Sequence, residues 1–106
     1  MPLFLELPQI NQMKIESFGF AGNSKDGSKY EVKEAAIFRL RDEGSVALFK
    51  AAVNGERFDE AVVVAKKSSE VLWRYKMKLA FIETYQTEDN GISESLGLRF
   101  TTLVVE

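Results

Sequence analysis

Apolar and polar positions alternate along most of the chain, and the period of two is clearest from Val71 to Glu83. There Val71, Trp73, Tyr75, Met77, Leu79 and Phe81 share one face, while Arg74, Lys76 and Lys78 share the other. This spacing predicts a long strand with one side on a core. Residues Glu94 to Val104 alternate as well, with Leu96, Leu98, Phe100, Thr102 and Val104 on the core side. The parity leaves Leu103 and Val105 either in a second core face or at a subunit contact. Turn chemistry at Asp89-Asn90-Gly91 joins the two strands as an antiparallel hairpin.

Ala61 to Lys66 is short, β-branched and continuous, which predicts a central strand buried on both faces. Tyr30 to Leu40 places Tyr30, Val32, Ala36, Phe38 and Leu40 on one side, with Lys33 and Arg39 opposite. Met13 and Ile15 give way to Phe18 and Phe20, a change of parity that requires a bulge near Glu16 or Ser17. Leu3 to Leu7 reads as a first strand that Pro8 ends or places at an edge. Gly, Asn and Ser concentrate at residues 21–28, a loop.

One segment departs from the β pattern. Val46, Phe49 and Val53 stand at helical spacing, with Ala47, Leu48, Ala51 and Ala52 adding propensity. Ser45 is the expected N-cap and Gly55 the expected left-handed terminator. Phe49 is expected to dock the helix on the sheet, so that Phe49→Ala costs about 3–5 kcal/mol. The fold class is therefore mainly β: two packed antiparallel sheets forming a small barrel, with one short flanking helix at about residues 45–54. A single domain over residues 1–106 is expected, because a chain of 106 residues supports one modest core.

Composition narrows the chemistry. There is no cysteine and no histidine, so disulfides, thiol nucleophiles, imidazole acid–base catalysis and the usual zinc sites are excluded. Fourteen basic and sixteen acidic residues leave a net charge of −2, too balanced for nucleic-acid binding through charge alone. No apolar run approaches the roughly 20 residues of a membrane helix or the core of a signal peptide, so a cytoplasmic protein is expected. Glu56 with Asp59, and Glu88 with Asp89, read as solvated turn charges. Trp73 and Tyr75 interleave with the cations but fall on the opposite strand face, which removes a base-stacking platform. Gly19, Gly22 and Gly27 do not open a helix and so form no phosphate cradle. Hydroxyl nucleophiles lack a histidine partner, and nothing favours a serine–lysine arrangement. No enzyme, cofactor or metal is expected.

Three consecutive pieces resemble the Hcp family, the tube proteins of type VI secretion systems. Residues Ser45 to Phe58 (Ser-Val-Ala-Leu-Phe-Lys-Ala-Ala-Val-Asn-Gly-Glu-Arg-Phe) are similar to the family's helix, with its Lys-Ala pair and its exit through a small residue and glycine. Ala61 to Lys67 resembles its A-x-(V/L)-T-x-R-K-A strand. Tyr75 to Leu79, continuing through Tyr85-Gln86-Thr87 to Glu94-Ser95-Leu96-Gly97-Leu98-Arg99-Phe100, is similar to its closing hairpin. The likeness runs colinearly over roughly residues 30–104.

The resemblance implies an Hcp-like, phage tail-tube-like barrel assembled into a homohexameric ring. In the family, rings stack into the inner tube of a contractile injection apparatus, and the lumen carries effectors. Self-association, secretion-apparatus components and effector proteins are thus the implied partners, with export through the apparatus. Neither nucleic acid nor membrane is implied. Ser17 and Gly19 are candidate channel-facing positions, and Lys66, Arg74, Lys76 and Lys78 candidate channel or interface charges. Trp73, Tyr75, Leu79, Phe81, Leu98, Phe100 and Phe49 are expected in the core. Only Pro8 to Gln12 separates the first two strands, where family members carry a long segment that reaches neighbouring rings. That difference motivates a second reading, a stand-alone binding or carrier module that does not stack into tubes.

Overall fold

The computed structural model describes residues 2–25, 29–88 and 91–106, and the side chains of all of these except 23–25, 29 and 30. Among them lie eight strands and one helix. The strands are β1 (Leu3–Leu7), β2 (Asn11–Ile15), β3 (Ser17–Lys25), β4 (Lys29–Leu40), β5 (Arg57–Lys67), β6 (Glu70–Thr87), β7 (Ser93–Arg99) and β8 (Thr102–Val105). The helix α1 spans Ser45–Val53. The strands form one antiparallel sheet in the order β2-β1-β5-β6-β7-β4-β3, with β8 added on β6. The path does not close, so the ladders build one open sheet where the pattern predicted two sheets forming a barrel. The side chain of Tyr30, expected on the core face, and the turn residues Asp26, Gly27, Ser28, Asp89 and Asn90 lie outside what is described.

The 18-residue β6 is the spine of the sheet. β5 pairs with it from Glu70 to Phe81, while its other edge is divided between β8 at Tyr75–Lys78 and β7 at Phe81–Thr87. The changeover falls at Leu79, whose φ of 54° lies in the left-handed region that a bulky residue rarely adopts. This turn reverses the side-chain parity. Met77 points inward, then Ala80 and Ile82 do, and Leu79 is left 58% exposed. The expectation that Leu79 and Phe81 belong to the core is thereby corrected. Phe81 is half-buried, with the Arg57 guanidinium 4.1 Å above its ring. A further offset at Glu83 brings Tyr85 back to the inner face.

A bulge also overturns the assignment of β4. Lys33 is the extra residue opposite the Ala21/Gly22 step, where a Cβ on Gly22 would sit 2.0 Å from the Glu31 carbonyl oxygen. Only glycine fits there. Val32 still packs on the core, but beyond the bulge Ala35, Ile37 and Arg39 turn inward, while Ala36, Phe38 and Leu40 turn out. Other expectations agree with the structure. Leu3–Leu7 is a strand ended by Pro8, β5 is buried on both faces from Ala61 to Ala65, and Leu96, Leu98 and Phe100 are core residues. The parity change after Ile15 occurs at Glu16, whose N–H donates to the Phe38 carbonyl at 2.8 Å. Phe18, Phe20, Trp73 and Tyr75 then form a half-buried aromatic cluster with centroids 5.0–5.8 Å apart. The last segment breaks at Thr101, so Leu103 packs on the core and Val105 faces out.

The helix is rotated relative to expectation. Ser45, Leu48 and Ala51 face the core, whereas Val46, Phe49 and Val53 are exposed, Phe49 by 54%. Phe49 meets the Tyr85 ring in an edge-to-face contact, at 5.6 Å between centroids. Gly44 occupies the N-cap and makes no side-chain cap bond, and Gly55 ends the segment with φ of 63°. The Ser45 hydroxyl is engaged elsewhere. Among the described residues, no helix is long and apolar enough to cross a membrane.

Candidate functional site

Arg39 and Glu94 stand opposite each other on β4 and β7 and both point inward, each 1% exposed. Arg39 Nη1 donates to Glu94 Oε2 at 2.5 Å and Nη2 to Asp42 Oδ1 at 2.7 Å. The Ser45 hydroxyl donates to Glu94 Oε2 at 3.1 Å and accepts the Asp42 N–H at 3.1 Å. Tyr85 donates its phenol to Glu94 Oε1, and Arg41 Nε lies 3.5 Å from the same oxygen. The Gly44 N–H closes the loop on Asp42 Oδ1 at 2.8 Å. Both strands, the loop into α1 and the far end of β6 are thus tied at one buried point.

Electrostatics follow the contacts. Burial alone would raise the Asp42 carboxyl, but the Arg39 guanidinium and the Gly44 N–H outweigh it and hold the group below its ordinary value. Arg39 moves the opposite way for the same reason: burial disfavours its charge, and the two carboxylates more than restore it. Burial, then the bond to Glu94, pushes the Tyr85 phenol up to about 12. Glu94 is a carboxylate enclosed by donors, with no access to a reacting group, so the cluster binds the fold together. The sequence reading placed Arg39 on the solvent face. The signal for its burial was the possible pairing of Arg39 with Glu94, visible only once the β4–β7 register is known.

The six candidate positions divide into two groups. Arg74, Lys76 and Lys78 do share the outer face of β6, but they are not a free charge row. Lys76 binds Glu106 at 2.8 Å and Lys78 binds Glu60, while Lys66 lies 4.0 Å from Glu6 and over the Phe4 ring. The Glu106 contact raises the Lys76 ammonium and lowers the Glu106 carboxyl. In register with this row, Val62 and Val64 are almost fully buried on the outer face, which suits cover by long cationic stems.

Ser17 and Gly19 lie elsewhere, on the outer face of β3, an end strand of the sheet. Register carries their rows across four strands. One row is Gly19–Ala36–Gly97–Thr84 and the next is Ser17–Phe38–Ser95–Gln86. Small residues in the first row leave a trough of about 460 Å³, walled by the 47%-exposed Phe38 on one side. On the other, Arg99 Nη1 bridges Glu34 at 2.7 Å and Glu83 at 3.3 Å. A Cβ on Gly97 would meet Thr84 Oγ1 at 2.4 Å, whereas one on Gly19 would meet nothing within 4 Å. The trough was not anticipated, because it depends on the inversion of β4.

A β6 spine, an open antiparallel sheet and one helix docked at its far end define the Hcp-like class of fold. Hcp1 from Salmonella typhimurium superposes with a TM-score of 0.78 at 18% identity, over 96% of this chain and 83% of that one. A type VI secretion system effector from Yersinia pestis gives 0.80 at 14% identity, over 97% and 87%. Hcp1 from Flavobacterium johnsoniae gives 0.77 at 16% identity, over 99% and 94%. No curated protein matches in sequence. The family model described as "Type VI secretion system effector, Hcp" matches residues 9–106, and the chain belongs to that family.

Proposed function

We propose that the chain is a structural subunit of a type VI secretion or related contractile injection apparatus, acting as one tube domain over residues 1–106. Copies close into a homohexameric ring whose barrel-like walls surround a channel, and effectors travel in that channel, held by shape and polar contacts. Covalent chemistry has no part in it. The observation that carries this reading is the open sheet in a chain of this family: β2 and β3 each present an unpaired edge, and contact between copies is the physical remedy. Ser17 and Gly19, in the uncharged first part of the end strand β3, are the interface or channel candidates with the better support. Lys66, Lys76 and Lys78 already have carboxylate partners, and with Arg74 they contribute a balanced outer surface.

Sedimentation of the purified chain together with negative-stain imaging tests the proposal. Annular particles of six copies are expected. A monomer at every concentration and ionic strength refutes it.

A further inference from the structure

The turn that ends α1 holds an Asn-Gly pair, Asn54–Gly55, and both residues are exposed. Three backbone bonds close the helix there. The Asn54 N–H donates to the Lys50 carbonyl at 2.9 Å, the Glu56 N–H to the Ala51 carbonyl at 3.0 Å, and the Gly55 N–H to the Ala52 carbonyl at 3.3 Å. The Gly55 bond is the longest of the three and lies beyond the usual range for an amide donor. Gly55 has φ of 63°, and a Cβ there would meet nothing within 4 Å. Its nitrogen is therefore loosely held, in open space, and unshielded by a side chain of its own.

Covalent connectivity puts the Asn54 side-chain amide within reach of that nitrogen once the peptide between them turns. The helical ψ of −2° at Asn54 holds the Gly55 nitrogen away from Cγ, and opening the long bond to Ala52 frees it to rotate. Glycine permits the rotation at little steric cost. The nitrogen then gives its proton to hydroxide and bonds to Cγ. The Cγ–N bond of the side-chain amide breaks, and the nitrogen leaves as ammonia, taking a proton from water. Water opens the resulting cyclic imide at either carbonyl, giving aspartate or isoaspartate. The balance is one water consumed and one ammonia released, with nothing oxidised or reduced.

We propose that Asn54 is a site of spontaneous, one-way conversion of amide to carboxylate in the folded chain, gated by fraying of the last turn of α1. The proposal is independent of the reading of the chain as a tube subunit. Either product places a carboxylate at the negative end of the helix dipole, which Lys50 one turn back offsets in part. Isoaspartate also lengthens the main chain between position 54 and Gly55, so the three closing bonds lose their register. Phe58, 2% exposed near the start of β5, confines the disturbance to the turn. The modification thus loosens the junction between α1 and β5 and leaves the core in place.

Incubation of the purified chain at mildly alkaline pH, folded and in parallel unfolded in urea, tests it. Peptide mapping by mass spectrometry separates position 54 from the second Asn-Gly pair of the sequence, Asn90–Gly91. Position 54 should convert in both samples, with the mass change of an amide becoming an acid. The folded chain should be slower by no more than about a hundredfold, because a helix end opens far more readily than the whole domain. An isoaspartate carboxyl methyltransferase should label the converted peptide, and Asn54→Gln should abolish the label there while keeping the parental circular dichroism. Amide exchange at position 54 and at Glu56 should then quicken in the converted chain, with Leu48 and Phe58 unchanged. Asn54 left intact in the folded chain while the unfolded chain converts fully, or intact in both, overturns the proposal. Unchanged exchange at Glu56 after conversion overturns the loosening of the junction.

Discussion

Replacing Glu94 by alanine removes one partner of the buried Arg39–Glu94 ion pair. Neither Arg39 nor Glu94 has any exposed side-chain surface, so the substitution leaves a guanidinium in the interior with Asp42 as its one remaining carboxylate among the described residues. It also removes the acceptor of Ser45 and Tyr85. Arg39 Nε is already buried without a hydrogen-bond partner, so the substitution adds a second unsatisfied donor to the same group. Breaking one side of a buried pair costs about 3–5 kcal/mol, and the lost Tyr85 bond is contained in that figure because the groups act together. Stability for a domain of this size is about 5–15 kcal/mol. The variant should therefore lose at least a fifth of its stability and melt at least about 12 °C lower. Urea denaturation, at a protein concentration that holds the assembly state constant, measures the change. Arg39→Met combined with Glu94→Leu should recover most of the loss, because no buried charge then remains unpaired: Asp42 and Arg41, which lose their partners, are both partly exposed. A single variant within about 1 kcal/mol of the parent, or a double variant no better than the single, would refute the reasoning.

Other outcomes follow from the same geometry. Leu48→Ala should cost about 2–5 kcal/mol, whereas Phe49→Ala should cost less than about 1 kcal/mol in the monomer, reversing the order that helical spacing alone implied; thermal melts compare them. Leu79→Gly should be neutral or stabilising by up to about 1 kcal/mol, since it relieves a positive φ and removes a mostly exposed side chain; a clear destabilisation would show that the turn is held by the leucine. The folded Asp42 carboxyl lies below its unfolded value of 3.8, so its contribution is present above that pH and is lost as pH falls through the folded value. Asp42→Asn should flatten the acid side of a stability–pH curve. Tyr85 behaves in the alkaline range: its contribution is complete below pH 10 and is lost as pH rises toward about 12. Ultraviolet titration of the phenolate should show a late component that Tyr85→Phe removes.

Much of the architecture was legible from spacing. Period-two alternation located β6 and β7, the β-branched run located the doubly buried β5, and the alanine-rich stretch located α1 with its glycine stop. The errors have a common cause. A one-residue bulge at Lys33, a left-handed residue at Leu79 and an offset at Glu83 each exchange the two faces of a strand, and alternation contains no marker for where the exchange occurs. Arg39 was therefore sent outward and Phe38 inward. The helix failed differently, because both of its stripes are apolar and periodicity cannot rank them; the inner one is chosen by Ser45, whose hydroxyl belongs to the Arg39–Glu94 cluster. As for the candidate positions, the family resemblance pointed to Ser17 and Gly19, which the structure puts on the outer face of β3, while alternation set out the cation row without its carboxylate partners Glu60 and Glu106, which are remote in sequence.

The sequence by itself determined that this chain is a β-rich unit with one short helix, that it lacks thiols and imidazoles, and that its motifs are those of the Hcp family. These are local properties, set by side-chain period, turn residues and composition. Only the tertiary structure decided which face of β4 and of α1 is inside, that the cation row of β6 carries compensating carboxylates, and that small residues from three strands line one trough. Those outcomes depend on strand register, and register is settled by contacts between residues far apart in the chain, where an arginine is buried against Asp42 nearby and a glutamate 55 positions away that arrives opposite it.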